Sequence, residues 1–310
     1  MAHKDFISIH DYSADEVAAI FALTKEIKGN PEKFRNELAG QTLGMIFEKS
    51  STRTRVSFEV GMFQLGGHAL FLSARDIQLG RGETIHDTAK VLSRYLDGIM
   101  ARTFAHKTVT ELAEFASIPV INGLTDLLHP CQAMTDYFTA MEHLGDLRGK
   151  KMAWIGDGNN MAHSLMYGAA KVGMHMAVAT PKGYQPDPDV VAKAKADFEK
   201  AGTQLVLTDS IEEAAKDADI VETDVWTSMG QEEESQKRLR DFEGWQVDRR
   251  VMSLASRTAI FMHCLPAHRG EEVSAEVVDG LQSVIFDEAE NRLHVQKAIM
   301  VTLMKGRKRR

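Results

Sequence analysis

Cysteine is scarce in this chain, which has 310 residues but only two cysteines, Cys131 and Cys264. The sequence therefore offers neither a C-x-x-C metal motif nor a disulfide framework, and we expect two free thiols and no metal site. Long apolar runs are also missing, and the polar start lacks the apolar stretch of a secretory signal. These absences favour a cytoplasmic protein without a membrane partner.

An excess of positive charge is missing as well, because 37 lysines and arginines face 44 aspartates and glutamates, giving a net charge of -7. Proteins that coat nucleic acids need a broad basic surface, so we expect no nucleic-acid partner. The basic run from Lys305 to Arg310 is interpreted as a solvated tail. What remains is an ordinary globular composition, 44% hydrophobic and 26% charged, at a length that favours two domains.

Short apolar runs alternate with amphipathic stretches, which is the pattern of strands joined by crossover helices. We predict an α/β protein with two domains, each an open, mostly parallel sheet with helices on both faces. The predicted domains are residues 1–145 and 146–290, and residues 291–310 form a closing helix that is expected to pack back on the first domain. The runs that carry this prediction are residues 43–47, 118–121, 150–155, 174–179, 219–223 and 258–262.

The segment from Ser51 to Thr54, Ser-Thr-Arg-Thr, lies between a predicted strand and a predicted helix. Free backbone N–H groups, the positive end of the helix dipole, hydroxyls and the Arg53 guanidinium would converge there, an arrangement that suits a bound phosphate. A hydroxyl-rich helix cap with surface arginines explains the same residues about as well. Since a Walker motif is missing, a nucleoside triphosphate is not the expected ligand.

Two further motifs also follow predicted strands. In the His-Pro-Cys-Gln motif at 129–132, the proline suits the first position of a helix, which puts His129 and Gln132 on its opening turn as donors toward a carbonyl. A capping histidine beside a surface glutamine is the alternative. In the His-Cys-Leu-Pro motif at 263–266, the Leu-Pro bond predicts a turn that points backbone carbonyls outward. Cys264 alone is more often an inert buried thiol.

Asp224 follows another predicted strand and is suited to hold a ligand amine, although a lone aspartate there is as often a helix cap. The four segments together are more informative, because ligands of open α/β sheets bind at the carboxyl ends of the strands. The glycine-bearing segment from Gly156 to Met161 fails as a dinucleotide fingerprint, since Met161 replaces the third glycine and no acid ends the next strand. Asn159 and Asn160 better suit a small carboxylate.

The motifs at 51–54, 129–132 and 263–266 resemble, in order and approximate spacing, those of the aspartate and ornithine carbamoyltransferase family. The likeness spans nearly the whole chain, and the segment from Asp224 to Gly230 resembles the ornithine-specific signature. The resemblance implies transfer of a carbamoyl group from carbamoyl phosphate to the side-chain amine of ornithine, giving citrulline and phosphate, in a cleft between the two domains. It implies no cofactor.

The resemblance also implies roles for individual residues. The carbamoyl carbonyl or its bridging oxygen would be engaged by Arg102, His129 and Gln132, and the carbamoyl amide by the carbonyls of Cys264 and Leu265 with Arg292 nearby. Catalytic roles are implied for Arg53, Arg102, His129 and Cys264, with Cys264 beside the attacking amine. The phosphate would be held by Ser51, Thr52, Arg53 and Thr54, and ornithine by Asn160, Asp224, Ser228 and Met229.

Active sites of this family lie between subunits of a trimer, so the resemblance implies a homotrimer in which Gln78, in the loop from Asp76 to Glu83, reaches the neighbour's phosphate. Aspartate is the rival acceptor, but it needs a site for a second carboxylate where this chain offers Asp224. Putrescine, an acylated ornithine and a non-catalytic binding protein stay open, whereas the broken fingerprint opposes a nicotinamide dehydrogenase. Arginine biosynthesis is the expected role, with arginine breakdown as the alternative.

Overall fold

The computed structural model describes residues 4–74, 77, 82–227 and 232–306. The chain forms two compact units, one of residues 1–131 with 291–310 and the other of residues 132–290. Both divisions fall inside helices, Pro130–Leu144 and Ile285–Met304. Residues 291–310 thus group with the first unit, while the functional division at residue 145 stays a prediction.

The first unit contains, in chain order, α1 (Ala14–Gly29), β1 (Thr42–Phe47), α2 (Thr52–Gln64), β2 (His68–Ser73), α3 (Ile85–Tyr95), β3 (Gly98–Arg102), α4 (His106–Phe115) and β4 (Val120–Leu124). Its strands form a sheet in the order β2-β1-β3-β4, and the described pairings are parallel, as predicted. Crossover helices are what parallel neighbours require.

The second unit contains α5 (Pro130–Leu144) apart from its first two residues, β5 (Lys151–Ile155), α6 (Asn160–Val172), β6 (His175–Ala179), α7 (Pro188–Ala201), β7 (Leu205–Thr208), α8 (Ile211–Ala215), β8 (Ile220–Glu222), α9 (Ser235–Asp241), α10 (Arg249–Leu254), β9 (Ile260–Met262) and α11 (Ala275–Val278). The last helix, α12 (Ile285–Met304), begins in the second unit, and its residues from Asn291 onward belong to the first. The five strands of the second unit are ordered β7-β6-β5-β8-β9, again with parallel pairings. The two-domain α/β prediction is confirmed.

Central strands are apolar along their length because helices cover both faces of each sheet. In β1, Leu43 and Met45 are fully buried, as are Trp154 and Ile155 in β5. The edge strand β2 instead has exposed or half-buried side chains throughout. Within the described ranges, none of the helices is both long enough and apolar enough to span a bilayer.

Local signals in the sequence set several element boundaries. Ser13 caps α1 and forms the predicted capping box with Glu16, and a proline opens α5 as predicted. The strand predicted at residues 118–121 begins instead at Val120. Pro119 has no N–H to contribute to the ladder, which explains the later start.

Each sheet has a topological switch point, where strands are added first on one side and then on the other. In the first sheet it lies between β1 and β3, whose last residues Phe47 and Arg102 are register partners. In the second it lies between β5 and β8, where Trp154 pairs with Glu222. Ligands of open α/β sheets bind beyond the carboxyl ends of such strands, so the segments that follow these four strands are the first places to look for a site.

Candidate active site

The first turn of α2 carries the Ser-Thr-Arg-Thr segment directly after β1, as predicted. Ser51 is the N-cap, and its Oγ accepts from the Thr54 backbone N–H at 3.2 Å and donates to Thr54 Oγ1 at 3.1 Å. No acidic side chain lies in this first turn. The helix itself therefore leaves the positive end of its dipole uncompensated, which favours an anion there.

Three arginines of the first unit surround His129. Arg102 ends β3 and Arg292 lies on α12, and both are about as buried as His129 itself. Burial lowers the pKa of His129 well below its usual value, and the charges of Arg292, Arg102 and Arg53 lower it further. The imidazole is therefore neutral at pH 7. A neutral hydrogen-bonding group near three guanidinium groups suits a bound phosphate group.

In the second unit, Asp224 follows β8 and is 8% exposed. Its Oδ1 accepts from the Val225 backbone N–H at 2.8 Å and from Cys264 Sγ at 3.3 Å, and its Oδ2 accepts from Asn159 Nδ2 at 3.2 Å. The predicted residues Asp224 and Cys264 are thus brought together, 40 residues apart in sequence. Asn159 also caps α6, whose first residue is the predicted Asn160.

The thiol of Cys264 is held in its neutral form. Burial raises its pKa well above the usual value, and the negative charge of Asp224, with those of Glu288 and Asp136, raises it further. Cys264 is therefore a hydrogen-bond donor to Asp224 rather than a thiolate at pH 7. It is poorly suited to covalent catalysis, which needs the thiolate.

The His-Cys-Leu-Pro motif forms a sharp turn after β9. Leu265 has φ of 60° and precedes a cis peptide bond to Pro266. His263 is fully buried, its Nδ1 accepts from the Leu265 backbone N–H at 2.9 Å, and its Nε2 contacts Glu272 Oε1 at 3.1 Å. His263 therefore fixes the turn, and the outward direction of the backbone carbonyls stays a prediction.

Gln132, in the first turn of α5, is fully buried in the second unit. Its Nε2 donates to Asp136 Oδ1 at 2.7 Å and to Glu288 Oε1 at 2.9 Å. These bonds use both hydrogens of the amide. Donation from Gln132 to a carbamoyl carbonyl would require one of these two bonds to break, and the role of Gln132 toward a ligand stays a prediction.

Sequence reasoning missed an ion pair that joins two loops of the second unit. Arg238 Nη1 donates to Asp157 Oδ2 at 2.7 Å and to the Trp226 carbonyl at 2.8 Å. These bonds tie the loop after β5 to the segment after Asp224. No local motif marks Arg238, which lies 81 residues from Asp157.

Donor atoms of Asp224, His263 and Cys264 lie within 4.8 Å of one another. Both ring nitrogens of His263 are engaged within the protein, by Leu265 and Glu272. A metal ion would have to displace one of those contacts, so this group is a weak ligand set. The absence of a metal stays a prediction.

Three predicted site residues, Gln78, Ser228 and Met229, lie outside the described residues. The other predicted residues form two groups, each within one unit. The first group is Ser51, Thr52, Arg53, Thr54, Arg102, His129 and Arg292, and the second is Gln132, Asn160, Asp224, Cys264 and Leu265.

Fold and site together define an α/β protein with arginines, His129 and a helix N-terminus at one switch point and the buried carboxylate of Asp224 at the other. Residues 4–142 match the domain described as aspartate/ornithine carbamoyltransferase, carbamoyl-P binding domain, and residues 148–303 match the Asp/Orn binding domain of the same family. The chain belongs to the aspartate/ornithine carbamoyltransferase family.

Individual relatives agree with this assignment. The chain is 58% identical over 303 residues to the ornithine carbamoyltransferase of Oceanobacillus iheyensis, covering 97% of this chain and 94% of the relative. The structure of ornithine carbamoyltransferase from Pyrococcus furiosus superimposes with a TM-score of 0.95 at 50% identity and covers 99% of both chains. The anabolic ornithine carbamoyltransferase of Campylobacter jejuni gives 0.92 at 41% identity, covering 97% of this chain and 99% of that one.

Proposed function

We propose that this chain transfers the carbamoyl group of carbamoyl phosphate to the δ-amine of L-ornithine, producing L-citrulline and phosphate. The observation that carries the proposal is the buried, neutral His129 among Arg53, Arg102 and Arg292. Such a cluster suits an anion whose bridging oxygen gains charge as its bond breaks. The family match and the high identity to ornithine carbamoyltransferases support the choice of reaction.

The first group of site residues binds carbamoyl phosphate in this proposal. Ser51, Thr52, Arg53 and Thr54 hold the phosphate at the N-terminus of α2, and Gln78 of a neighbouring subunit completes the phosphate site. Arg102 and His129 engage the carbamoyl oxygen or the bridging oxygen, with Arg292 nearby. Gln132 and the backbone carbonyls of Cys264 and Leu265 accept hydrogen bonds from the carbamoyl amide.

The second group binds ornithine. Asp224 and Ser228 take the α-amino group, Asn160 takes the carboxylate, and Met229 belongs to the same site. Cys264 lies beside the attacking amine as a neutral thiol. The bond between Cys264 and Asp224 supports this arrangement, because it fixes both groups before substrate binds.

Chemistry then proceeds by direct attack. The neutral δ-amine adds to the carbamoyl carbon, a tetrahedral intermediate forms, and the C–O bond to phosphate breaks while the amine proton passes to the phosphate. Arg53, Arg102 and His129 stabilise the charge on oxygen. Holding both substrates adjacent contributes on the order of 7 kcal/mol or more.

Activity should rise from pH 6 toward pH 8.5. A free alkylamine has a pKa of about 10.4, so selecting its neutral form at pH 7.4 costs about 4 kcal/mol, and this cost falls as the pH rises. His129 adds no change of charge over this range, because its pKa is already lowered well below the usual value. A flat pH profile for a rate limited by chemistry would contradict direct attack by the free amine.

A homotrimer with shared active sites is part of the proposal. Exposed apolar side chains of the first unit support it, since such side chains are usually covered by a partner. They lie on α2, β2 and α3, and comprise Val56, Phe63, Leu70, Phe71, Val91 and Tyr95. Mixing Gln78→Ala subunits with His129→Ala subunits should restore activity, because some sites of a mixed trimer would contain both native residues.

We place the reaction in the cytoplasm and in arginine biosynthesis. Both cysteines are free, which fits a reducing compartment. One related structure is that of an anabolic enzyme. Steady-state rates in both directions, measured at the substrate concentrations of the source cell, would test the biosynthetic assignment.

The first test is citrulline formation, or carbamoyl transfer in general, with ornithine, aspartate, putrescine and N-acetylornithine in parallel. We expect turnover of ornithine alone, and a loss of at least about 100-fold in kcat/KM for carbamoyl phosphate on Arg53→Ala. Arg35→Ala is the matched control, because Arg35 is exposed and its side chain forms a surface ion pair with Glu32. Use of another amine would overturn the Asp224 assignment, and no turnover by an assembled sample would favour a binding protein.

A further inference from the structure

We propose that Glu288 is a positioning residue that fixes the Gln132 amide with its carbonyl oxygen toward the carbamoyl group, so that the site selects a carbamoyl NH2 over an acyl methyl group. The inference rests on the proposed function and names a specificity determinant for it. Glu288 lies on α12 and is 1% exposed, and it makes no part of the three sequence motifs.

The geometry around Gln132 sets the direction of its amide. Two carboxyl oxygens, Glu288 Oε1 at 2.9 Å and Asp136 Oδ1 at 2.7 Å, face one end of this side chain. A carboxylate only accepts hydrogen bonds, so that end must be the NH2 group. The Oε1 acceptor lies at the opposite end of the amide, which the proposal directs toward the carbamoyl group.

Glu288 also reaches the second carbamoyl contact. Its Oε2 accepts from the backbone N–H of His263 at 3.0 Å, and His263 directly precedes Cys264 and Leu265. One carboxylate therefore links the side-chain acceptor of Gln132 with the turn whose backbone carbonyls are the other proposed acceptors. Glu288 Oε1 accepts from Gln132, and Glu288 Oε2 accepts from His263.

A third acid, Glu222, ends β8, is fully buried and lies close to Asp136. Burial, together with the charges of Glu288 and Asp224, raises the pKa of Glu222 well above its usual value, which favours its neutral form.

The consequence is chemical selectivity. Carbamoyl phosphate and acetyl phosphate have the same shape and the same phosphate, and differ in an NH2 group against a methyl group. Acceptors aimed at this group are satisfied by NH2 and left unpaired by methyl, and unpaired buried polar groups are costly. Binding of the phosphate alone does not involve Glu288.

Glu288→Gln tests the proposal, because an amide cannot accept from both Gln132 and His263. We expect the KM for carbamoyl phosphate to rise about 10- to 100-fold, while the inhibition constants of acetyl phosphate and inorganic phosphate stay unchanged. Asp287→Asn is the matched control. It removes the adjacent carboxylate of α12, which is exposed and contacts His143.

Two further variants keep the test decisive. Glu288→Asp keeps the charge but is one methylene shorter, so it cannot reach both Gln132 and His263. If Glu288→Gln does not fold, Glu288→Asp should still raise the KM for carbamoyl phosphate relative to the inhibition constant of acetyl phosphate. Gln132→Met should reproduce the part of the loss that passes through Gln132, and the double variant Glu288→Gln/Gln132→Met should lose less than the two single variants combined. Equal weakening of carbamoyl and acetyl phosphate, or additive effects, would overturn the positioning role. Failure of the wild type to turn over carbamoyl phosphate would instead overturn the proposed function.

Discussion

Arg292 and Thr54 are 238 residues apart in the sequence, yet Arg292 Nη2 donates a hydrogen bond to Thr54 Oγ1 at 2.8 Å. The bond connects α12 to the first turn of α2 within the first unit. Thr54 also accepts from Ser51 Oγ at 3.1 Å. The Thr54 hydroxyl thus contacts both the N-cap residue and a buried arginine at the predicted phosphate site.

Replacing Thr54 with valine should show how much its hydrogen bond with Arg292 contributes beyond side-chain packing. The change keeps the shape but removes the acceptor, leaving the buried Arg292 guanidinium without this partner. We expect a loss of about 1–3 kcal/mol in the free energy of unfolding and a rise in the KM for carbamoyl phosphate with little change in the KM for ornithine. Denaturant unfolding and steady-state kinetics measure both. Thr302→Val is the control, since its hydroxyl bonds only to the Ala298 carbonyl of its own helix; equal effects of the two changes would argue against a special role for Thr54.

The neutral state of His129 predicts how stability depends on pH. Its folded pKa is lowered by burial and by Arg292, Arg102 and Arg53. Below about pH 6.5 the unfolded histidine binds a proton that the folded one excludes, so His129 costs up to about 1.4 kcal/mol of stability for each further pH unit of acidification. His129→Gln should therefore flatten the loss of unfolding free energy between pH 7 and pH 5, measured by urea titration. The same change at His68, which is exposed, should leave the slope as it is.

The raised pKa of Glu222 predicts a pH dependence of stability with the opposite sign. Burial, then Glu288 and Asp224, raise its folded pKa, so the unfolded chain releases a proton above about pH 4.5 that the folded chain retains. The stability contributed by this group is present below about pH 4.5 and is lost as the pH rises toward the folded pKa, at about 1.4 kcal/mol per unit. Glu222→Gln mimics the protonated acid. The unfolding free energy of this variant minus that of the wild type should therefore be larger at pH 8 than at pH 5. A gain independent of pH would mean that Glu222 is ionised in the fold.

The raised pKa of Cys264 predicts slow alkylation. Burial and the charge of Asp224 disfavour its thiolate, so iodoacetamide at pH 7.5 should react at least about 10-fold more slowly than with a free thiol, and the rate should still be climbing at pH 9.5. The Cys131→Ala background isolates the signal; Cys131 is itself buried, with its pKa raised to about 12. Asp224→Asn should accelerate the reaction. No acceleration would mean that restricted access, and not charge, protects the thiol.

Much of the fold could be predicted because its signals are local. The capping box at Ser13, the proline that opens α5 and the apolar strands each act within a few residues. The parallel sheets follow from the alternation of these patterns. β4 begins two residues later than the apolar run predicts, because Pro119 has no N–H to contribute to the ladder.

The amino-acid sequence by itself determined the two-domain α/β class, the strand-end positions of the motifs and the residues that the family resemblance implies. Only the tertiary structure decided that the Gln132 amide donates to Asp136 and Glu288, that Asn159 contacts Asp224, and that Glu288 links Gln132 to His263. One local feature of the sequence points to this cluster of hydrogen bonds, namely the acid Glu222 at the end of an otherwise apolar strand. Hydrogen-bond direction and proton occupancy depend on burial and on charges brought together from distant parts of the chain, and neither quantity is encoded in local spacing.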